Sequence, residues 1–239
     1  MTALVTCAAC PMFSLNLCSA VNEAREASGQ YRDLLPLSSS THAIRARRKI
    51  SYPEETADFV MIICRGWAAS SIAMPDGRRQ ILSFLMPGDL VSTAFLLEPI
   101  RGRSVEAITP VTYRRYRRSD FRAILFKYPP VLERLSETWN EERAQADQLA
   151  VDLGRCTATE RVARLIFSLA EKADKRGMKR GATLEFPLRQ RHIADATGLT
   201  PVHVSRVMQT FRSDGLIDVG ERSLTITNEV ELRRVAEWQ

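Results

Sequence analysis

The sequence predicts an α+β fold with an N-terminal β-barrel or jelly roll, a long dimerisation helix and a C-terminal winged helix-turn-helix. The observations behind this prediction are short strands in the first half, a heptad seam in the middle, and two helices followed by a hairpin near the C-terminus. We divide the 239 residues into a cysteine-containing segment at 1–30, the barrel at 31–128, the helix at 129–154 and the winged helix-turn-helix at 155–239.

The barrel is predicted by short segments that are rich in apolar residues and separated by turn signals. These segments span residues 59–64, 67–74, 78–85, 103–108 and 111–117. Pro-Asp-Gly at 75–77 and Pro-Gly-Asp at 87–89 favour tight turns, because proline presets φ and glycine accepts a positive φ. Strands of this length and spacing are typical of a small barrel or jelly roll.

A heptad seam predicts the long helix. Its apolar positions alternate between spacings of three and four residues: Leu132, Leu135, Trp139, Ala146, Leu149 and Leu153. Glu142 is the one polar interruption of this seam. The pattern favours a parallel dimer helix between the barrel and the C-terminal domain, and the alternative is a helix that packs on its own domain.

The C-terminal domain is predicted from helix start and stop signals. Thr-Ala-Thr-Glu at 157–160 is a capping box that begins an amphipathic helix. A short helical segment at 189–196 precedes Gly198, which can adopt the positive φ of a turn between two helices. Thr200 suits the N-cap of the second helix, and Pro201 suits its first position.

The second helix of this pair carries one apolar stripe and one polar face. The apolar residues repeat at helical spacing: Val204, Val207, Met208 and Phe211. The opposite face carries Val202, Ser205, Arg206 and Gln209. Arginine, glutamine and serine are side chains that reach base edges and phosphates. Strand-like segments at 216–219 and 223–227 flank a glycine turn and predict a wing, so the sequence indicates a DNA reader.

Charge and composition are consistent with DNA as the partner and exclude other classes of protein. Residues 155–239 carry 15 Lys and Arg against 11 Asp and Glu, which is +4 of the net charge of +6. The longest wholly apolar run, 59–64, is too short to cross a membrane, and we recognise no signal peptide. Five cysteines, an odd number, argue against a disulfide framework, so we expect a cytoplasmic protein. The scattered histidines form no catalytic pattern, so we do not expect an enzyme.

A barrel, a long helix and a winged helix-turn-helix in this order resemble the Crp/Fnr family of bacterial transcription regulators. The motifs that carry the resemblance are Asp-Gly-Arg-Arg-Gln-Ile at 76–81, Pro-Gly-Asp-Leu at 87–90, the capped helix at Thr157 and the segment 198–206. The resemblance implies a barrel like those that bind cyclic nucleotides. It also implies a homodimer that binds a palindromic site in double-stranded DNA and either recruits RNA polymerase, as an activator, or blocks it; of the two we favour an activator.

The second helix matches the family pattern at some residues and departs from it at others. Arg206 falls on the arginine that reads a guanine, a contact worth about 1–3 kcal/mol of discrimination. Ser205 stands where the oxygen-sensing branch also has a serine. Val202 replaces a base-reading glutamate, so the target site is expected to differ and Val202 to meet a thymine methyl. His203 is expected to reach a phosphate or a base, with a solvated position as the alternative.

Two signals are considered for switching the protein. In the cyclic-AMP branch, the pocket is formed by a Gly-Glu pair and by an Arg-Ser pair further along the chain. The present sequence has the second pair, as Arg103 and Ser104. The Gly-Glu pair is replaced by Ser92 and Thr93. The carboxylate that would take the ribose hydroxyl is therefore missing, and we do not expect cyclic AMP. Another small ligand of the barrel stays open as an alternative signal.

The second signal is suggested by Cys7, Cys10 and Cys18, whose spacing resembles the cluster of the oxygen-sensing branch. Three thiolates on a short loop suit a [4Fe–4S] centre. Arg114 stands where the family has its fourth cysteine, and Cys64 is the nearest replacement, with a small buried residue as its other interpretation. A thiol-redox remnant and a structural zinc site stay open as alternatives.

The sequence thus predicts a homodimeric, DNA-binding transcription regulator that responds to oxygen limitation or redox state. One alternative is a regulator of the same family that is switched by a small ligand in the barrel. A second alternative, from another class, is a module that binds only proteins.

Overall fold

The structure is a computed structural model that describes residues 16–27, 39–51, 59–91 and 103–236. The chain forms two compact units. One comprises Met1–Ser71 with Leu85–Ala144, and the other comprises Ile72–Phe84 with Gln145–Gln239. None of the described helices is long and apolar enough to cross a membrane.

The first unit contains a β-structure whose strands are short, as the sequence predicts. The strands are β1 (Ser39–Ile44), β2 (Lys49–Ser51), β3 (Phe59–Arg65), β4 (Ala68–Ala73), β5 (Arg79–Leu85), β6 (Arg103–Ala107) and β7 (Val111–Arg117). They form two sheets, one in the order β1-β7-β3 and one in the order β2-β6-β4-β5. Pairing of β3 and β1 with β7 is antiparallel, so β7 lies in the middle of its sheet.

Strand β3 shows why this unit has two apolar clusters. Met61 and Ile63 belong to a core with Val105 and Val111. Val60 and the neighbouring Ile62 belong to a second core that also contains helical residues. Because successive side chains of a strand point to opposite faces, both faces of β3 are buried. A continuous apolar run at 59–63 is the sequence signature of such a strand.

Three helices complete the second core: α1 (Asn16–Ala27), α2 (Arg118–Lys127) and α3 (Pro129–Arg155). Helix α1 buries Ala20, Val21 and Ala24 there, and α2 buries Phe121 and Ile124. The sequence did not predict α1 or α2, because neither segment has an extended apolar period.

Helix α3 confirms the predicted long helix but corrects its seam at two residues, because Leu135 and, in part, Trp139 pack against the core of the first unit. Leu135 is fully buried in the core of the first unit, with Val131 as its neighbour there. Leu135 therefore packs on its own domain and is not available to a dimer seam. Leu132 and Ala146, at other seam positions, are exposed.

The second unit contains the helices and small sheet of a winged helix-turn-helix. Its helices are α4 (Ala158–Asp174), α5 (Gln190–Thr197), α6 (Pro201–Ser213) and α7 (Glu229–Ala236). Its strands are β8 (Lys179–Arg180), β9 (Thr183–Glu185), β10 (Ile217–Val219) and β11 (Ser223–Ile226), in the sheet order β10-β11-β9-β8. The charged segment 175–181 contains the two residues of β8. Helix α7 was not predicted.

Helix α4 begins at the predicted capping box. Thr157 Oγ1 accepts from the Glu160 N–H, and the Thr157 N–H donates to Glu160 Oε2 at 2.7 Å. The helix buries its predicted apolar face, including Val162, Ile166 and Leu169. This capped, amphipathic helix is the support on which the helix-turn-helix packs.

The flap is our name for residues 72–84, the part of the β4–β5 hairpin that belongs to the second unit. Its turn contains Gly77 at a φ of +85°, and the Met74 N–H donates to the Arg78 carbonyl at 2.7 Å. The sequence predicted this turn from Pro-Asp-Gly. It did not predict that the hairpin belongs to the same compact unit as the helix-turn-helix.

Candidate nucleic-acid interface

The turn between α5 and α6 is built around Gly198. This glycine has φ +66° and ψ +30°, in the left-handed region that glycine adopts without a steric cost. A Cβ at this position would lie 3.0 Å from Leu153 Cδ2, so the position also favours a small residue. The predicted glycine turn is therefore confirmed.

The start of α6 follows from the two residues after this turn. Thr200 is the N-cap, and its Oγ1 accepts from the His203 N–H at 3.2 Å. Pro201 occupies the first turn, where a missing N–H costs no helical hydrogen bond. These contacts fix the point at which α6 begins and hence which side chains lie near its N-terminus.

Helix α6 has the two faces that the sequence predicts. Its apolar stripe of Val204, Val207, Met208 and Phe211 is buried and holds the helix against the rest of the second unit. Val202, His203, Arg206 and Gln209 are exposed, and Ser205 is half-buried. Within the described part of the chain, the Arg206 side chain forms no hydrogen bond or ion pair.

The wing lies next to α6 in sequence. Strands β10 and β11 are antiparallel, with Ile217 opposite Ile226, and the Gly220 N–H donates to the Ser223 carbonyl at 2.9 Å. Arg222 forms an exposed ion pair with Glu185 at 2.7 Å. The predicted hairpin is thus present.

The candidate ligand residues of the barrel lie on β6. Arg103 and Ser104 are both half-buried. Arg103 Nε is enclosed and has no hydrogen-bond partner among the described residues. Ser92 and Thr93, which replace the family's Gly-Glu pair, lie outside the described residues.

The candidate cluster residues are only partly within the described chain, since Cys7 and Cys10 lie outside it. Cys18 is half-buried in the first turns of α1, beside the second core, so the expectation of a loop is wrong at this cysteine. Cys64 is half-buried on β3, with its Sγ 3.7 Å from the Ile62 carbonyl oxygen. Arg114 lies on β7, the middle strand of its sheet. No group of three potential ligands comes together among the described residues.

Sequence reasoning missed a set of contacts on the last turn of α5. Arg79 and Gln80 of the flap and Arg161 of α4 each contact one of the residues Asp195, Ala196 and Thr197. Arg79 and Gln80 lie within the motif at 76–81, which supported the family resemblance but gave no sign of a contact with α5.

Two families of domains match the chain. A cyclic nucleotide-binding domain matches residues 42–128, and a Crp-like helix-turn-helix domain matches residues 160–235. The transcriptional activator protein FnrL of Cereibacter sphaeroides is 30% identical over 195 residues, which is 79% of this chain and 77% of that protein. The nitrogen fixation regulation protein FixK of Bradyrhizobium diazoefficiens is 27% identical over 234 residues, which is 96% of this chain and 93% of that protein.

Solved structures show the same architecture. The structure of FixK2 from Bradyrhizobium japonicum has a TM-score of 0.76 and 26% identity, and the match covers 85% of this chain and 100% of that one. A CooA mutant from Carboxydothermus hydrogenoformans has a TM-score of 0.68 at 18% identity, covering 83% of this chain and 88% of that one, and supports the fold.

A cyclic nucleotide-binding domain followed by a Crp-like helix-turn-helix whose second helix has an exposed face defines a class of DNA-binding transcription regulators. The fold class predicted from the sequence is confirmed. Since a relative with 30% identity matches over 79% of the chain, this protein belongs to the Crp/Fnr family of transcription regulators, as its motifs indicated.

Proposed function

We propose that this regulator acts as a homodimer that reads a palindromic promoter site with the N-terminal half of α6. The observation that carries the proposal is Arg206: it is exposed on the face opposite the buried stripe and is not engaged by another described side chain. A free guanidinium at this place can form the bidentate contact that selects guanine. Two reading helices related by a two-fold axis would address half-sites about 34 Å apart.

The other residues of the reading face have different chemistry. Val202 offers methyl groups to a thymine methyl, and His203 offers a ring nitrogen to a phosphate or base edge. Ser205 and Gln209 can donate to bases or phosphates. The Thr200 hydroxyl is engaged as the N-cap, so its first role is to orient the helix. Because Thr200 is also exposed, its second proposed role is to contact the DNA.

Selection from a random DNA pool tests this proposal. The full-length protein, purified without oxygen, should enrich a palindromic motif with a guanine in each half-site. Arg206→Ala should lose that motif, while Arg191→Ala, which removes an exposed arginine from α5, should keep it. Equal enrichment by wild type and Arg206→Ala would contradict the proposed role of Arg206.

Activation through RNA polymerase is part of the same proposal. Its support is that the relatives include a transcriptional activator protein, FnrL, and a transcriptional activatory protein, AadR of Rhodopseudomonas palustris. Transcription from a selected site with purified polymerase should rise when the protein is added. A fall in transcript would make the protein a repressor.

For the signal, we propose oxygen limitation or redox state, sensed by Cys7, Cys10 and Cys18. Support comes from the thiolate spacing and from Cys18, which lies beside a core that includes the start of α3. An iron–sulfur centre would supply oxygen-sensitive chemistry. The chain offers three thiolates there and Arg114 at the fourth place, so Cys64 or a group from elsewhere would have to complete the ligands.

The absorption spectrum of protein purified without oxygen tests the signal. A brown protein with iron and sulfide that bleaches in air supports the cluster. A colourless protein with full DNA affinity excludes it. Cys18→Ser should remove the colour, whereas Cys156→Ser, which changes a buried cysteine of the second unit, should leave it.

A small ligand of the barrel is the second candidate signal. One observation favours it: Arg103 Nε is enclosed without a hydrogen-bond partner among the described residues, beside Ser104 on β6. An anionic ligand would supply that partner. If DNA affinity depends on an added ligand and Arg103→Ala abolishes the dependence, this signal replaces oxygen.

A further inference from the structure

The last turn of α5 is held by side chains from two other elements. Arg79 Nε donates to Asp195 Oδ2 at 2.6 Å, and Gln80 Nε2 donates to the Ala196 carbonyl at 3.0 Å. From α4, Arg161 Nη1 donates to the Thr197 carbonyl at 3.2 Å. Consecutive residues at the end of one helix are thus contacted from the flap and from α4.

These contacts satisfy hydrogen-bond acceptors that are left unpaired at the end of a helix. The last carbonyls of a helix lack intrahelical donors, and the negative end of the helix dipole favours cationic or N–H donors. Gln80 and Arg161 supply such donors. Asp195 adds a carboxylate for Arg79, and neither side chain of this ion pair is more than about a third exposed: 24% for Arg79 and 29% for Asp195.

The same turn leads directly into the reading helix. Thr197 is followed by Gly198, and α6 begins at Pro201. The Leu199 N–H donates to the Ala194 carbonyl at 3.1 Å, so the chain is hydrogen-bonded up to the turn. A displacement of the last turn of α5 would therefore move the N-terminal end of α6, which carries Val202 and Arg206.

The flap has a second attachment in this unit. Lys172 Nζ of α4 donates to the Phe84 carbonyl at 2.9 Å. By contrast, Arg78 pairs with Asp76 inside the flap turn at 2.7 Å and is 78% exposed. Adjacent arginines of one flap thus have different partners, one local and one on the helix-turn-helix.

We propose that Arg79 and Gln80 are positioning residues for DNA reading. They hold the last turn of α5 and, through it, the angle at which α6 presents Arg206; they do not touch DNA. This inference rests on the DNA-reading function proposed above.

Binding of a fluorescent duplex selected by the wild-type protein tests the proposal. Arg79→Ala and Asp195→Ala should each weaken binding by about three- to tenfold, as expected for residues that couple to a site without touching it. The double variant should lose no more than either single one. Exchanging the charges, Arg79→Asp with Asp195→Arg, should restore most of the affinity. Gln80→Ala should cause a smaller loss, and Arg78→Ala should cause none.

The salt dependence separates positioning from direct contact. If Arg79 bound a phosphate, its removal would reduce the slope of log K against log salt by about 0.9. We expect Arg79→Ala to keep the wild-type slope. Arg79→Lys, which keeps the charge, serves as a second variant if the thermal midpoint of Arg79→Ala falls.

The proposal is overturned if Arg79→Ala leaves the affinity unchanged, if its salt slope falls, or if the charge exchange fails to restore binding. A loss of transcription activation with unchanged DNA affinity would also overturn it and assign Arg79 to polymerase contact. If the wild-type protein enriches no DNA motif, the proposed DNA reading fails first, and this inference with it.

Discussion

Val202 departs from the family pattern on α6, the helix that we propose reads DNA. It is 62% exposed near the N-terminus of α6, where the resemblance places a base-reading glutamate. A valine neither accepts nor donates a hydrogen bond, but its methyl groups can contact a thymine methyl. The DNA site of this protein should therefore differ from the usual family palindrome at the base pair below Val202.

Val202→Glu should change the selected site. A carboxylate at this position can accept from a cytosine amino group, a contact that changes discrimination at one base pair by about 1–3 kcal/mol. Selection and sequencing of bound DNA should show a new preference at one symmetric position. Val230→Glu is the control, since Val230 is also exposed but lies on α7. Identical motifs from wild type and Val202→Glu would place Val202 away from the bases.

Cys156 is a buried thiol, and its burial favours the protonated form. Burial raises the pKa of this thiol, nearby Asp152 raises it further, and Arg164 opposes both. A raised folded-state pKa contributes stability that is present below the unfolded pKa and is lost as pH rises through the folded value. Cys156 is therefore poorly suited to be a redox-active thiolate.

Alkylation of Cys156 should consequently be slow at mildly alkaline pH. We expect iodoacetamide to label Cys156 more slowly in the folded protein than in urea, with labelling in the folded protein rising only as the pH passes the raised pKa. Mass spectrometry of the peptide that contains Cys156 measures this. Fast labelling near neutral pH would show an accessible thiolate instead.

At the scale of elements, the turn between β3 and β4 requires a glycine at position 66. It has a φ of +86° between β3 and β4, and a Cβ there would lie 2.2 Å from the Pro110 carbonyl oxygen. The turn is therefore closed to any side chain, both by its conformation and by the backbone that lies against it. Gly77 in the flap has a similar φ of +85° but nothing within 4 Å of its Cβ position.

Replacing each glycine with alanine should separate these two effects. Gly77→Ala carries only the conformational cost, about 1–2 kcal/mol. Gly66→Ala adds a backbone clash and should destabilise the first unit by more than that. Urea unfolding followed by far-UV circular dichroism, which reports the secondary structure of both units, measures both variants. Equal losses of stability would show that the backbone near Pro110 moves away from the added methyl group at no cost in free energy.

At the scale of the whole molecule, local patterns predicted most elements and few of the contacts between them. The helix-turn-helix followed from Gly198, Thr200 and the apolar stripe of α6, because caps and periodicity are local signals. The contact of Arg79 with Asp195 spans 116 residues, and no spacing rule reveals it. Cys18 was expected in a loop because the small residues that α1 buries around it give only a weak helical period.

The proposed dimer depends on the exposed seam positions of α3. Ala146→Glu should raise the dissociation constant of the dimer by at least about tenfold, because a carboxylate would be buried in the seam. Ala144→Glu is the matched control, since Ala144 is also exposed but lies off the seam. Sedimentation of the full-length protein measures both variants. Equal effects of the two substitutions would exclude this face of α3 as the seam.

The most direct test of the central claim is the genome-wide occupancy of the Arg206→Ala variant in cells. We expect the variant to be made at the wild-type level and to lose selective occupancy of the promoters that the wild-type protein binds, because we propose that Arg206 is the side chain that reads guanine. Unchanged occupancy would contradict the account of α6 as the DNA-reading helix.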